Sequence, residues 1–364
     1  MAPDVAAIER LQEQPIAVDP RAIEDEFNAI WRQAAGSALD ESSARIRVLN
    51  LVGVASSDDD ARRFDDALEV VAPRHPCRSI LALLAQEEAR IEATLAARCW
   101  RAGGSRRQVC SEDVLLRGGG HQQKEMASLV RAVLVPEVPV AVWMLRPPGL
   151  HAELVQALMP LADRLIFDSD EATRMAAAYA WLLSVDREED IDLADLAWTR
   201  TSPWRDLTAQ FFDGKDGARE LRQITSIQVV GGHEHVSSSA VLHAAWLVSR
   251  LGLTIADATA NRRELHATLY DGSRGVHVSA IPGVLERAIE RVRIITTDAE
   301  FVVECHEQSN HLHVREDWEG GSTRRVVEEP TEDERAIVAR TLDGVDEGQL
   351  YAEVAATASV LVGN

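Results

Sequence analysis

Lysine is nearly missing: Lys124 and Lys215 are the only two in 364 residues, and every other basic side chain is arginine. Acids outnumber bases 59 to 38, for a formal net charge of −21. Such a chain repels nucleic acid and anionic lipid, so neither is an expected partner. Cysteine is scarce too, with four residues and no short paired spacing, which argues against a disulfide scaffold or a zinc ribbon. No apolar run reaches the ~18 residues that a membrane span needs. The opening MAPDVAAIERLQEQ has no basic stretch followed by an apolar one, so no secretory leader is expected. Also missing are G-x-G-x-x-G, G-x-x-x-x-G-K-[ST] and G-x-S-x-G, the common nucleotide and nucleophile signatures.

What is present is ordinary globular composition, 46% hydrophobic and 27% charged, in a chain more than twice the ~150 residues of a common domain. Residues 1–40 read as a helical arm, with Ile23, Phe27, Ile30 and Trp31 spaced to form one apolar stripe for docking. Residues 41–185 read as a Rossmann-like α/β domain with a largely parallel sheet and a β-hairpin insertion. Expected strands are 45–54, 77–84, 139–145 and 164–168, with a helix after the Ser57-Asp58-Asp59-Asp60 cap and others over 121–134, 151–162 and 170–184. The hairpin is 91–100 and 107–116, because Gly103-Gly104-Ser105 is too short for a crossover helix.

Residues 186–217 form a Trp/Arg-rich bridging segment, in which Ser202-Pro203 signals a helix start. Its two tryptophans beside two arginines read either as an interface plug within the chain or as a partner-binding hot spot. Residues 218–364 read as an α+β domain with an antiparallel sheet. Its expected strands are 224–230, 264–270, 275–281, 291–297, 300–307 and 310–317, with helices over 240–251, 331–342 and 346–360.

Candidate chemistry is sparse. Gly118, Gly119 and Gly120, with Lys124 nearby, sit between a strand and a helix and form a weak candidate anion site. His233, His235, Cys305, His306, His311 and His313 cluster in the second domain without standard zinc spacing, so no metal is expected. Cys77, Cys99 and Cys110 read as buried small hydrophobes, with a redox-sensitive role as the alternative. No ordered catalytic set accompanies them, so neither an enzymatic role nor a cofactor is expected.

Several segments in order resemble one family, the glucose-6-phosphate dehydrogenase assembly protein OpcA. They are RIRVLNLV from Arg45, RHPCR from Arg74, VCSE from Val109, PVAVW from Pro139, DRLIFDS from Asp163 and DLAWTRTSPWRDLTAQFFD from Asp195, with AAWLVSRLGL from Ala244. Met144 departs from the second aromatic that the family pattern places after Trp143. The resemblance implies a non-enzymatic, cytoplasmic bacterial protein of the oxidative pentose phosphate pathway. It would bind glucose-6-phosphate dehydrogenase, favour its active oligomer, raise its substrate affinity as an allosteric activator and so support NADPH supply. Under that reading the expected partner contacts are Trp198, Arg200, Trp204 and Arg205, with Arg45, Asn50, His75, Arg78 and Glu112 at strand ends as a second group. The alternative is a nucleotide- or sugar-phosphate-binding sensor or enzyme using the Gly118–Lys124 loop; a scaffold without kinetic effect is a third reading.

Overall fold

A computed structural model describes the chain except residues 1–8, 11–14, 36–42, 46, 86–89, 102–107, 148, 150, 190, 215–216, 308–309, 330–332, 345–347 and 364. The expected turn at Gly103-Gly104-Ser105 lies outside the described residues. The chain divides into two compact units. Unit 1 holds residues 1–167, 189–192 and 334–343; unit 2 holds 168–188, 193–333 and 344–364.

Unit 1 runs through helix α1 (Ile23–Ala35), β1 (Leu49–Ala55), α2 (Asp58–Val71), β2 (Cys77–Ala85), β3 (Glu92–Arg101) and β4 (Gln108–Gly119). It continues with α3 (Gln123–Val133), β5 (Val140–Met144), α4 (Ala152–Leu158) and β6 (Arg164–Phe167). Strands β4-β2-β1-β5-β6 lie side by side in that order and all run parallel. β1 and β5 are buried on both faces apart from Leu49, which explains their unbroken apolar runs. β3 is antiparallel to β4, with Glu92 opposite Arg117 and Arg101 opposite Gln108, so the expected hairpin insertion is present.

Local chemistry sets the helices. Ser57 caps α2 by accepting the Asp60 N–H on its hydroxyl, and Phe64, Ala67, Leu68 and Val71 form the helix's buried stripe. On that face of the sheet Phe64 lies over Gly53 and Leu81, while Met126 of α3 meets Gly118 on the other. Ile23 and Phe27 of α1 are buried, as the apolar stripe requires. The expected strand over 45–54 is instead two pieces: Ser43–Arg45 pairs with β4, and β1 begins at Leu49. The helix Glu334–Asp343 belongs to unit 1, where Arg63 grips Glu334.

Unit 2 contains α5 (Met175–Glu189), α6 (Leu196–Gln210), β7 (Ile224–Val230), α7 (Ser238–Arg250), β8 (Thr254–Ala260), β9 (Leu265–Asp271) and β10 (Arg274–Ile281). Then follow β11 (Arg291–Thr296), β12 (Ala299–Cys305), β13 (His311–Trp318), β14 (Gly321–Glu328) and α8 (Gly348–Val362). The eight strands lie in the order β8-β9-β10-β7-β11-β12-β13-β14, antiparallel throughout except for β7 beside β10. β8 and β14 escaped the sequence reading because both are largely exposed edge strands without apolar alternation. Two helix starts also differ. The helix expected over 170–184 begins at Met175, after a short turn in which Asp168 accepts the Asp170 N–H. The helix expected from Ser202-Pro203 begins at Leu196, because the Asp195 carboxylate accepts the Ala197 N–H. Pro203 then sits inside α6, where it removes one ladder hydrogen bond.

Candidate functional site

In a doubly wound sheet, ligands bind outside the carboxyl ends of the strands where the order reverses. Here that point lies beyond β1 and β5. The first turn of α2 there carries three carboxylates, Asp58, Asp59 and Asp60. Asp60 is fully buried: one oxygen accepts the Ser56 N–H at 2.9 Å, and the other lies 2.7 Å from Arg146 and 3.9 Å from Arg63. Arg63 also donates to Glu334 at 3.0 Å and to the Leu145 carbonyl at 3.2 Å. Ser56 Oγ and His151 Nε2 stand 2.9 Å apart, with the His151 backbone at φ 58°. Burial keeps the His151 pKa below its ordinary value, against the pull of Asp60.

This crevice does not fit a dinucleotide. Pyrophosphate needs open N–H donors at the helix start, and three carboxylates repel it there. The cations face carboxylates already. Gly53 is not a phosphate-approach glycine either, since an added Cβ would meet Phe64 and Leu81 within 2.8 Å.

The glycine run is equally committed. Gly118 and Gly119 lie inside β4. The Gly119 N–H donates to Gln122 Oε1 at 2.8 Å and the Gly120 N–H to the Ala85 carbonyl at 3.0 Å. Those two donors close the strand-to-helix turn, so at the candidate anion site of Gly118, Gly119, Gly120 and Lys124 the Gly119 and Gly120 N–H groups are already bonded.

The second group of expected contacts is mostly interior. Arg78 and Glu112 are register partners on β2 and β4, and both side chains are fully buried. Arg78 donates to Glu112 at 2.8 Å and to the Val133 carbonyl at 2.9 Å, pairs with Glu24, and lies over the Phe27 ring at 5.0 Å. Glu112 accepts the Trp31 indole N–H at 2.8 Å. The pair therefore anchors α1 to the sheet. Asn50, also buried, accepts the Val135 N–H and donates to the Val135 and Val138 carbonyls, pinning the loop before β5. His75 meets Asp343 at 2.7 Å at a half-exposed position. Arg45 pairs by backbone with Cys110; its side chain lies outside the described residues.

In unit 2 Trp198, Trp204 and Arg205 of the first group are buried as well, and Arg200 is partly exposed. Trp198 and Trp204 are each 2% exposed and Arg205 8%. The Arg205 guanidinium stacks 3.6 Å above the Trp198 ring and donates to Thr201 Oγ1 at 3.0 Å. Arg200 holds Asp168 through two bonds of 2.6 and 2.9 Å, and Asp170 lies 3.4 Å away. Asp195 accepts from the Ser169 N–H at 3.0 Å and from the Tyr351 hydroxyl at 3.1 Å. Burial first, and Asp168 second, push its pKa up to about 7. Trp198, Trp204 and Arg205 pack in the unit's own interior, while Arg200 reaches partly to the surface with Asp168.

Sequence reasoning passed over Asp60, Asp168 and Asp195. Their signal was carboxylates beside helix starts, which solvated caps share. The three first-unit cysteines separate: Cys99 and Cys110 face each other across β3 and β4 and form a disulfide. Cys77 is a free, buried thiol, and burial raises its pKa to about 12, which makes it a poor nucleophile. Cys305 turns its sulfur to the Glu290 carbonyl at 3.4 Å, away from the edge-on His306 and His313 rings. Among the described residues no three side chains gather to hold a metal. Nor is any described helix long and apolar enough to cross a membrane.

Two family models match. One, described as the glucose-6-phosphate dehydrogenase subunit N-terminal domain, covers residues 69–183; the other, its C-terminal domain, covers residues 191–355. The chain belongs to the OpcA family. Two curated relatives carry the name OxPP cycle protein OpcA. The Synechocystis sp. protein is 27% identical over 51% of this chain and 39% of its own length; the Synechococcus elongatus protein is 29% identical over 50% and 41%. The match thus spans about two fifths of the relatives' length. Among solved structures, KijD10, a 3-ketoreductase from Actinomadura kijaniata with TDP-benzene and NADP, is 15% identical, covers 86% of this chain and 96% of its own, and has a TM-score of 0.50. At that identity the likeness is one of fold alone.

Proposed function

We propose that this OpcA-family chain is a non-enzymatic, cytoplasmic assembly factor for glucose-6-phosphate dehydrogenase that also raises the enzyme's apparent substrate affinity. The observation that carries the proposal is the pair of subunit-domain matches along the chain. The crevice beyond β1 and β5 supports it from the other side. An oxidoreductase fold whose dinucleotide position holds Asp58, Asp59 and Asp60 is suited to scaffolding rather than to hydride transfer.

An activator must bind the enzyme's active state more tightly than its inactive state, since equal affinity shifts nothing. The test is kinetics of the cognate dehydrogenase at varied glucose 6-phosphate, with and without this chain, alongside the mass of the assembly. A lower apparent KM with a larger mass is expected. Unchanged KM and unchanged mass would overturn the proposal. A mass shift without a kinetic effect would leave a scaffold and remove the activation.

A further inference from the structure

β2 and β4 are parallel neighbours, and such strands are ordinarily joined by a helix lying across one face of the sheet. Here β3 makes the return, antiparallel and within the sheet. Among the described residues no helix packs at the place beside α2 where a crossover helix would lie. That place is a groove of about 490 Å³. Its apolar lining is partly exposed Leu115 and Ala96 on the sheet, over buried Leu81, Phe64 and Leu68. The α2 wall from Asp58 to Leu68 spans about 16 Å, three turns of helix.

The groove is acidic. Asp58, Asp65, Asp66 and Asp113 line it against Arg62 and Arg98, and Asp58 is paired with Arg117. Arg98 is consumed internally: it pairs with Asp65 and lies 2.5 Å from Asp113, whose other oxygen accepts the Ser79 hydroxyl at 2.6 Å. Arg62 is bound to Asp59. Asp66 stays exposed at the rim. A groove apolar beneath and negative at the edge complements a helix that is apolar on one side and cationic on its flanks.

We infer that this groove docks an amphipathic α-helix of a partner protein whose apolar stripe is flanked by lysine or arginine. The inference deepens the assembly reading and rests on it for the probe, the cognate dehydrogenase.

The experiment places the photocrosslinker p-benzoylphenylalanine at Leu115 of the full chain. It also measures the dehydrogenase Kd for the wild type, Ala96→Phe, which fills the floor, and Asp66→Lys, which reverses the rim. Asp66 is solvent-facing, so that variant tests the groove even if Ala96→Phe misfolds. Expected are a crosslink to a basic-flanked helix of the dehydrogenase and a Kd at least tenfold weaker in each folded variant. A wild-type complex whose Kd neither variant changes would overturn the groove and leave the assembly reading standing. A crosslink to residues 1–14 of the same chain or to a second copy would also overturn it. No wild-type complex at all would remove the assembly reading, and the groove with it.

Discussion

At the scale of single residues, two buried groups titrate in opposite senses. Asp195 in the fold has a pKa of about 7, raised by burial and by Asp168. The folded state holds its proton longer than the unfolded chain, so this group's contribution is full below about pH 4 and is lost as pH rises toward 7. Buried His243 has a pKa of about 3, lowered by burial and then by Arg205. Its contribution is full above about pH 6.5 and is lost as pH falls toward 3. The two slopes oppose each other, each reaching up to about 1.4 kcal/mol per pH unit. Asp195→Asn should therefore make stability rise with pH between 4.5 and 6.5, and His243→Gln should make it fall, as read from urea midpoints. Identical profiles in both variants and the wild type would refute this account. Glu112 gives a second residue-level expectation. Glu112→Ala removes the fully buried partner of Arg78, leaving it Glu24 and the Val133 carbonyl, and should cost about 3 kcal/mol in urea unfolding. A loss below about 1 kcal/mol would mean that water reaches Arg78.

At the scale of elements, the β3/β4 hairpin replaces a helix and carries the Cys99–Cys110 disulfide. The bond closes a short loop, 11 residues apart in sequence, and so restricts the unfolded chain. The double variant Cys99→Ser/Cys110→Ser should lose about 2–3 kcal/mol of stability in denaturant unfolding. No loss would mean that strand pairing alone restrains the unfolded hairpin. Element types were legible where composition and period agreed: β1, β2, the hairpin strands and α7 with its Ser237 cap. The start of α6 was not, because Ser202-Pro203 is a strong local signal and the deciding bonds of Asp195 reach Ser169 and Tyr351 as well as Ala197.

At the scale of the whole molecule, the net charge of −21 disfavours nucleic acid and anionic lipid, and the two subunit-domain matches place the chain in the OpcA family. The proposed activation asks little energetically: a tenfold change in the dehydrogenase's apparent affinity needs about 1.4 kcal/mol of coupling. One docked helix can supply that, and buried Trp198 and Trp204 are not required for it. Double substitution of Trp204 and Arg205 should accordingly act through stability rather than through a contact with the enzyme.

The sequence by itself determined the α/β class, the hairpin, the antiparallel second sheet and the family, because these rest on periodicity, caps and ordered segments along the chain. Only the tertiary structure decided which charged and aromatic residues are surface and which are interior. Trp198, Trp204, Arg78 and Glu112 are buried, and long-range partners hold three of them: Trp198 meets Tyr351, and Glu112 meets Arg78 and Trp31. The groove beside α2 was equally invisible. It arises from a helix the topology omits, and an omission in space leaves no mark on any single residue.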